Sequence, residues 1–294
     1  MNSDLLSYYN INVGQDVIQI KASDQCSLNI HILQNPRDKK VTPILFVHAL
    51  AMDGNMWQGV VNSLAKDCPE FVGGMYALDC RGHGKSGTTR DVFSTKQFAD
   101  DLMATLNGIG ASKAHIVGCS MGGTVSLAFA GHFPESTASI TIIDATAWYG
   151  IDSKSKWEER GQKAIKGGME SLVEFQKARW FSPTFLENHP LLVQEVIEVF
   201  TSSNVNNYLN SCRMLGKADE RDVLQNYKGL AAIIVGEDDY ATPLAMSQDI
   251  ATRIDGAELI VIPRTRHYTP LEAPDEIANC INRVINQATN VLVL

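Results

Sequence analysis

His115-Ile116-Val117-Gly118-Cys119-Ser120-Met121-Gly122-Gly123 joins an apolar run to a helix-compatible segment through one tight turn. The spacing Gly118-x-Ser120-x-Gly122, set between a strand and a helix, pushes a serine hydroxyl out at the carboxyl end of a sheet. The two glycines let the chain close around a strained residue. The N–H of Met121, at a helix N-terminus, can then stabilise an oxyanion. A tight turn with an inert serine is the competing reading. The flanking strand and helix favour a nucleophile.

Working outward, apolar runs alternate with amphipathic segments, the pattern of α/β architecture. Val17–Ile20 and Leu28–Leu33 alternate in polarity and read as antiparallel lead-in strands. Ile44–His48, Val72–Asp79, His115–Cys119, Ile140–Ile143, Ala231–Val235 and Leu259–Pro263 are short apolar runs, as strands buried on both faces require. Thr95–Asn107, Met121–His132 and Pro270–Ile285 read as helices between or after them. From Ala147 to Leu224 no strand pattern is found. Helical patterns near Lys156–Ile165, Met169–Trp180, Pro190–Phe200 and Val205–Leu215 predict a helical cap inserted after the sixth strand. The expected division is a core of residues 1–146 and 225–294, with a cap of 147–224.

A serine nucleophile needs a base and a group that orients it, and with this turn the chain order is serine, acid, histidine. Two histidines lie beyond the helix that follows Ser120. His189 precedes Pro190 and reads as a helix-start residue, whereas His267 follows the last strand at the same sheet edge. His267 is therefore the expected base. Val235-Gly236-Glu237-Asp238-Asp239 offers carboxylates after a buried strand. Asp239 is preferred, with Asp238 the alternative and Asp144, after Ile140–Ile143, a second fallback. The loop His48-Ala49-Leu50-Ala51 should supply a second oxyanion donor, the Leu50 N–H, beside that of Met121. His48 itself is expected to brace that loop. Asp79-Cys80-Arg81-Gly82-His83-Gly84-Lys85-Ser86-Gly87 reads as a structural turn, because it lacks the spacing of a phosphate loop. No metal-ligand cluster and no cofactor motif is read.

The chain has 294 residues and a formal net charge of −8, from 25 basic and 33 acidic residues. That balance argues against nucleic acid and against an anionic membrane surface, since both require cationic surface. Met1–Asn10 has neither a basic nor an apolar leader segment, and the apolar Asn290–Leu294 is too short to span a bilayer. The six cysteines form no C-x-x-C pair and read as free thiols of a cytoplasmic protein. The cap is locally rich in Lys154, Lys156, Arg160, Lys163 and Lys166, with Arg179 and Arg213 added. A solvated face is the plainer reading, and recruitment of a carboxylate-bearing substrate is the functional one. Trp148, Trp180, Phe181 and Arg179 are candidates to line the pocket.

Together, His48-Ala49-Leu50 with Trp57, D-x-R-G-H-G-x-S-G, G-x-S-M-G-G, G-E-x-D-x-x-T-P and H-x-x-x-x-E-x-P resemble the α/β-hydrolase superfamily across most of the chain. Within the cap, Trp157-Glu158-Glu159-Arg160, Gly168-Met169, Arg179-Trp180-Phe181, Tyr208 with Cys212, and Asp219 with Arg221 look like the 3-oxoadipate enol-lactonase group. The resemblance implies an α/β-hydrolase fold, with a mostly parallel sheet flanked by helices. It further implies a cofactor-free serine hydrolase that opens a small lactone or cleaves an ester, as a monomer or homodimer. Two departures stand out: Arg266 where the family often has glycine before the histidine, and Trp148-Tyr149 after the strand that leads into the cap. The same triad also serves C–C bond hydrolysis and perhydrolysis, and a ligand receptor of slow turnover could retain it.

Overall fold

Ile44–Val47 (β3), Met75–Asp79 (β4) and Ala114–Cys119 (β5) are buried at every position. Their continuous apolar character follows from cover on both faces. The computed structural model describes residues 16–89 and 92–291. Met1–Asn10, and residues 292–294 of the apolar C-terminal run, lie outside it. Val17–Lys21 (β1), Ser27–Gln34 (β2), Thr137–Ile143 (β6), Leu230–Gly236 (β7) and Glu258–Ile262 (β8) complete an eight-stranded sheet of order β1-β2-β4-β3-β5-β6-β7-β8. The β1/β2 and β2/β4 pairs are antiparallel, and every other pair is parallel. The serine turn follows β5, near the middle of this order.

Helices Gln58–Asp67 (α1), Thr95–Gly108 (α2) and Met121–His132 (α3) connect β3 to β4, β4 to β5 and β5 to β6. Ser153–Gly167 (α4), Val173–Trp180 (α5), Pro183–Asn188 (α6), Pro190–Thr201 (α7) and Val205–Lys217 (α8) all lie between β6 and β7. Leu244–Arg253 (α9), Thr269–Glu272 (α10) and Pro274–Val291 (α11) follow. Helix α1 packs on α11, and α2 packs on α3. Among the described residues the β6–β7 segment contains no strand, only a lone bridge between Trp148 and Asp219.

Several elements differ from expectation. The Val72–Asp79 strand begins only at Met75, after the Gly73-Gly74 pair. The single helix expected over Pro270–Ile285 is two, because Ala273 (φ −140°, ψ 59°) precedes Pro274, and a residue before proline is disfavoured in the helical region. Helix α6 was not legible as a pattern; Pro183 opens it, and the Ser182 hydroxyl caps it by accepting the Phe185 N–H at 3.3 Å. All six cysteines are buried and unpaired. No helix among the described residues is long and apolar enough to cross a membrane.

Candidate active site

Ser120 sits between β5 and α3 with φ 54° and ψ −116°, a conformation that non-glycine residues rarely adopt. The sequence permits it through its glycines. A Cβ on Gly118 would lie 2.3 Å from the Gly122 carbonyl oxygen, and one on Gly122 would lie 2.1 Å from that of Val47. The turn is therefore as tight as the backbone allows. The Ser120 N–H donates to Ile143 of β6 at 2.9 Å, which fixes the turn to the sheet edge.

The Ser120 Oγ lies 2.8 Å from the Nε2 of His267, and the His267 Nδ1 lies 2.8 Å from the Oδ2 of Asp239. His267 occupies the loop after β8, and Asp239 the loop after β7. Three strand ends thus bring together side chains far apart in sequence. The Asp239 Oδ1 accepts the N–H groups of Ala241 at 2.7 Å and Thr242 at 3.0 Å, while Oδ2 accepts the Thr242 hydroxyl at 2.8 Å. Burial alone would raise this carboxyl. The His267 charge and hydrogen bond, with the Thr242 donors, outweigh burial and hold it below its ordinary value. A carboxylate in that position fixes a proton on Nδ1 and leaves Nε2 free to accept one.

The two other acid candidates stand elsewhere. Asp238 is exposed, and its N–H donates to Thr265. Asp144 is fully buried, with φ 49°, and its carboxylate is bonded to backbone N–H groups rather than to the imidazole. Its Oδ1 accepts the Gly236 N–H at 2.9 Å and its Oδ2 the Thr269 N–H at 3.0 Å. It ties the loop carrying Asp239 to the loop carrying His267. His189 caps α7 by position alone and packs on the Phe185 ring, 4.4 Å between centroids.

Leu50 and Met121 flank the serine on the other side. No protein acceptor among the described residues takes either N–H. His48 braces this loop from behind: its Nδ1–H donates to the Ala49 carbonyl at 2.7 Å and its Nε2 accepts the Cys80 N–H at 2.9 Å. Burial pushes its pKa down, which matches an imidazole that both donates and accepts.

A cavity of about 350 Å³ opens over Ser120 and His267. Leu50, Tyr149, Trp157, Arg160, Arg179, Trp180 and Tyr240 are among its lining residues, so the cap supplies much of its wall. Trp148 and Phe181 are corrections. Trp148 pairs with Asp219 across the lone bridge, and the Arg221 guanidinium covers its ring at 3.9 Å, outside the cavity. Phe181 is fully buried behind the wall, stacked on Phe185 at 5.1 Å. Both assignments failed because side-chain direction depends on packing partners that spacing does not reveal. Trp157 and Arg160 were legible as a cap motif, yet only the fold turns them toward Ser120. Thr242 had a weak signal as the residue before Pro243 at a helix start.

The electrostatics of the wall are one-sided. No carboxylate among the described residues forms an ion pair with Arg160 or Arg179. Arg160 lies over the Trp157 ring at 4.4 Å and Arg179 over the Phe175 ring at 5.0 Å. Burial and the nearby Arg160 charge both lower the pKa of the Arg179 guanidinium. Two cations share a half-buried space with no anion between them. No cluster of three or more metal-ligating side chains is found among the described residues.

A family model for the alpha/beta hydrolase fold matches residues 42–274. The chain is 26% identical to 3-oxoadipate enol-lactonase 2 of Acinetobacter baylyi over 244 residues, covering 83% of this chain and 88% of that one. It is 28% identical to 3-oxoadipate enol-lactonase 1 of the same organism, covering 79% and 84%. The solved enol-lactonase of Burkholderia xenovorans LB400 matches with a TM-score of 0.84 at 24% identity, covering 91% of this chain and 99% of that one.

Proposed function

Because the chain belongs to the alpha/beta hydrolase family, we propose that it opens a lactone or cleaves a carboxylic ester through an acyl-enzyme on Ser120. The observation that carries this reading is the relay of two 2.8 Å contacts, Ser120 Oγ to His267 Nε2 and His267 Nδ1 to Asp239 Oδ2, at the floor of a cavity. His267 takes the hydroxyl proton as the Ser120 Oγ attacks the carbonyl carbon. The oxyanion is held by the N–H groups of Leu50 and Met121. A preorganised donor of this kind is worth about 2.7–4 kcal/mol. Collapse breaks the C–O bond, and the His267 Nε2–H protonates the departing alkoxide. In a lactone that alcohol stays attached to the acyl group. His267 then deprotonates a water, which attacks the acyl-enzyme and releases the acid and Ser120.

Arg160 and Arg179 favour a substrate that carries a carboxylate beside its ester. Two unpaired guanidiniums repel one another, and an anion between them relieves the repulsion and is held bidentately. The names of the Acinetobacter relatives make enol-lactones the first compounds to test. A panel of lactones and p-nitrophenyl esters is assayed with the wild type and Ser120→Ala. We expect kcat to fall by about three orders of magnitude or more in the variant with its fold retained. A fluorophosphonate should label the wild type once, on Ser120. Turnover of the panel by Ser120→Ala at the wild-type rate overturns the assignment.

A further inference from the structure

Helix α4 places Lys156, Arg160, Lys163 and Lys166 at intervals of four, three and three residues, along one side of the helix. The first and last are about 15 Å apart along its axis. All four line a second, open groove of about 880 Å³, whose far wall is Ser171, Leu172 and Phe175. Lys156 and Arg160 also line the cavity over Ser120, so the groove and the cavity share a wall. Glu159 is the one carboxylate on the groove's lining.

Two neighbouring acids of the cap are committed elsewhere, while Glu170, beside Ser171, forms no ion pair among the described residues. Glu158 binds Arg213 at 2.7 Å, and Glu174 binds Lys177 at 3.0 Å, both cations that do not line the groove. Lys156 has an exposed partner in Asp152 at 3.6 Å. Arg160, Lys163 and Lys166 have no carboxylate within ion-pairing distance among the described residues. A chain of net charge −8 therefore carries a local excess of positive charge that ends at the cavity over Ser120. Phe175, 46% exposed, stands between the Arg160 and Arg179 guanidiniums at 5.5 and 5.0 Å.

We infer that this face of α4 is an approach path for anionic substrates. It draws a carboxylate-bearing ester past Lys166 and Lys163 to Lys156 and Arg160 and so into the cavity. The inference rests on the reading of Ser120 as the nucleophile of an ester hydrolase. It goes further in assigning a function to Lys163 and Lys166, which do not line the cavity. Charge clustered beside a low-dielectric cleft raises the local concentration of the opposite ion, and salt removes the effect.

The test compares mono-p-nitrophenyl glutarate, an anion, with neutral p-nitrophenyl butyrate on the full chain. NaCl is raised from about 10 mM to about 500 mM, which shortens the screening length from about 30 Å to about 4 Å. The double variant Lys163→Gln/Lys166→Gln should lose about threefold to tenfold in kcat/KM for the anionic ester at low salt, with kcat unchanged. The loss should vanish at high salt, and the neutral ester should not respond. Glu159→Gln should move kcat/KM for the anionic ester upward at low salt, which a folding defect does not imitate. If both variants match the wild type on the anionic ester, or if both esters fall equally, the approach path is overturned while the hydrolase reading stands. If the wild type turns over neither ester nor any lactone of the panel, both readings fall together.

Discussion

Asp239 and His267 show what a single atom decides at the residue scale. The Asp239 Oδ2 accepts from the His267 Nδ1–H, which leaves Nε2 unprotonated toward Ser120. In Asp239→Asn an amide nitrogen facing Nδ1 moves the imidazole proton to Nε2, where it can no longer accept. Steady-state kinetics should then show kcat down by about 10³–10⁴-fold with the fold intact. A kcat within tenfold of wild type would move the orienting role to Asp144 or Asp238. Gly122 makes the complementary prediction for stability. A Cβ there meets the Val47 carbonyl at 2.1 Å, backbone against backbone, with no flexible side chain to give way. Gly122→Ala should cost about 3 kcal/mol in chemical denaturation. These positions were legible because a nucleophile turn demands particular residue types at fixed spacing, and chain order then selects the histidine. Trp148 and Phe181 were not, since nothing local separates a ring facing a cavity from one facing the core.

At the scale of elements, the cap is strapped to the loop that carries the histidine. Glu272, at the end of α10, accepts the Ser182 N–H at 2.9 Å and the Ser182 hydroxyl at 2.5 Å on Oε2, and the Arg266 N–H at 2.7 Å on Oε1. The Tyr268 N–H donates to Trp180 at 3.0 Å, and the Arg266 guanidinium donates to Phe181 at 3.1 Å. The residue before α6 is therefore held to the same carboxylate as the residue before His267. Glu272→Ala should destabilise the protein by about 2–4 kcal/mol, because it leaves buried donors without an acceptor. It should also lower kcat, since the imidazole loop loses its brace. Denaturation and kinetics on one preparation check both, and a variant as stable and active as wild type removes the strap. The strands and most helices were legible from apolar periodicity. This strap was not, because its partners, 90 residues apart in the Ser182–Glu272 bonds, carry no shared pattern. The α10–α11 break was legible only to the rule that a residue before proline leaves the helix.

Across the whole molecule, the turn after β4 that reads as structural is a hub. Asp79 accepts from Asn29 at 2.9 Å, the Gly54 N–H at 2.9 Å and the Lys85 N–H at 2.9 Å, and it pairs with His31 at 2.8 Å. One carboxylate thus joins β2, the segment after the Leu50 loop and the glycine turn. The fold class was legible from alternating apolar runs, whereas this convergence was not, since burial of an acid shows only once its donors are gathered. Burial would raise Asp79, but the hydrogen bond and charge of His31 outweigh it and lower the pKa to about 2, from an ordinary 3.8. A depressed carboxyl contributes stability that is fully present above the unfolded value and is lost as pH falls toward the folded one. The shift corresponds to about 2 kcal/mol, of which about 1 kcal/mol is lost by pH 3. On the other side of the pair, burial opposes the charged form of His31 but the Asp79 hydrogen bond and charge raise its pKa. That contribution is lost as pH rises through the raised value, and it belongs to the same pair, so it is counted once. The pair therefore stabilises most between about pH 4 and pH 6.5. Urea denaturation of wild type and Asp79→Asn at pH 3, 5 and 8 separates this pair from the other acids. The stability difference between the two proteins should be largest at pH 5 and shrink by about 1 kcal/mol at pH 3. A difference that stays constant across the three values would mean that Asp79 acts through hydrogen-bond geometry alone, with no charge held against His31.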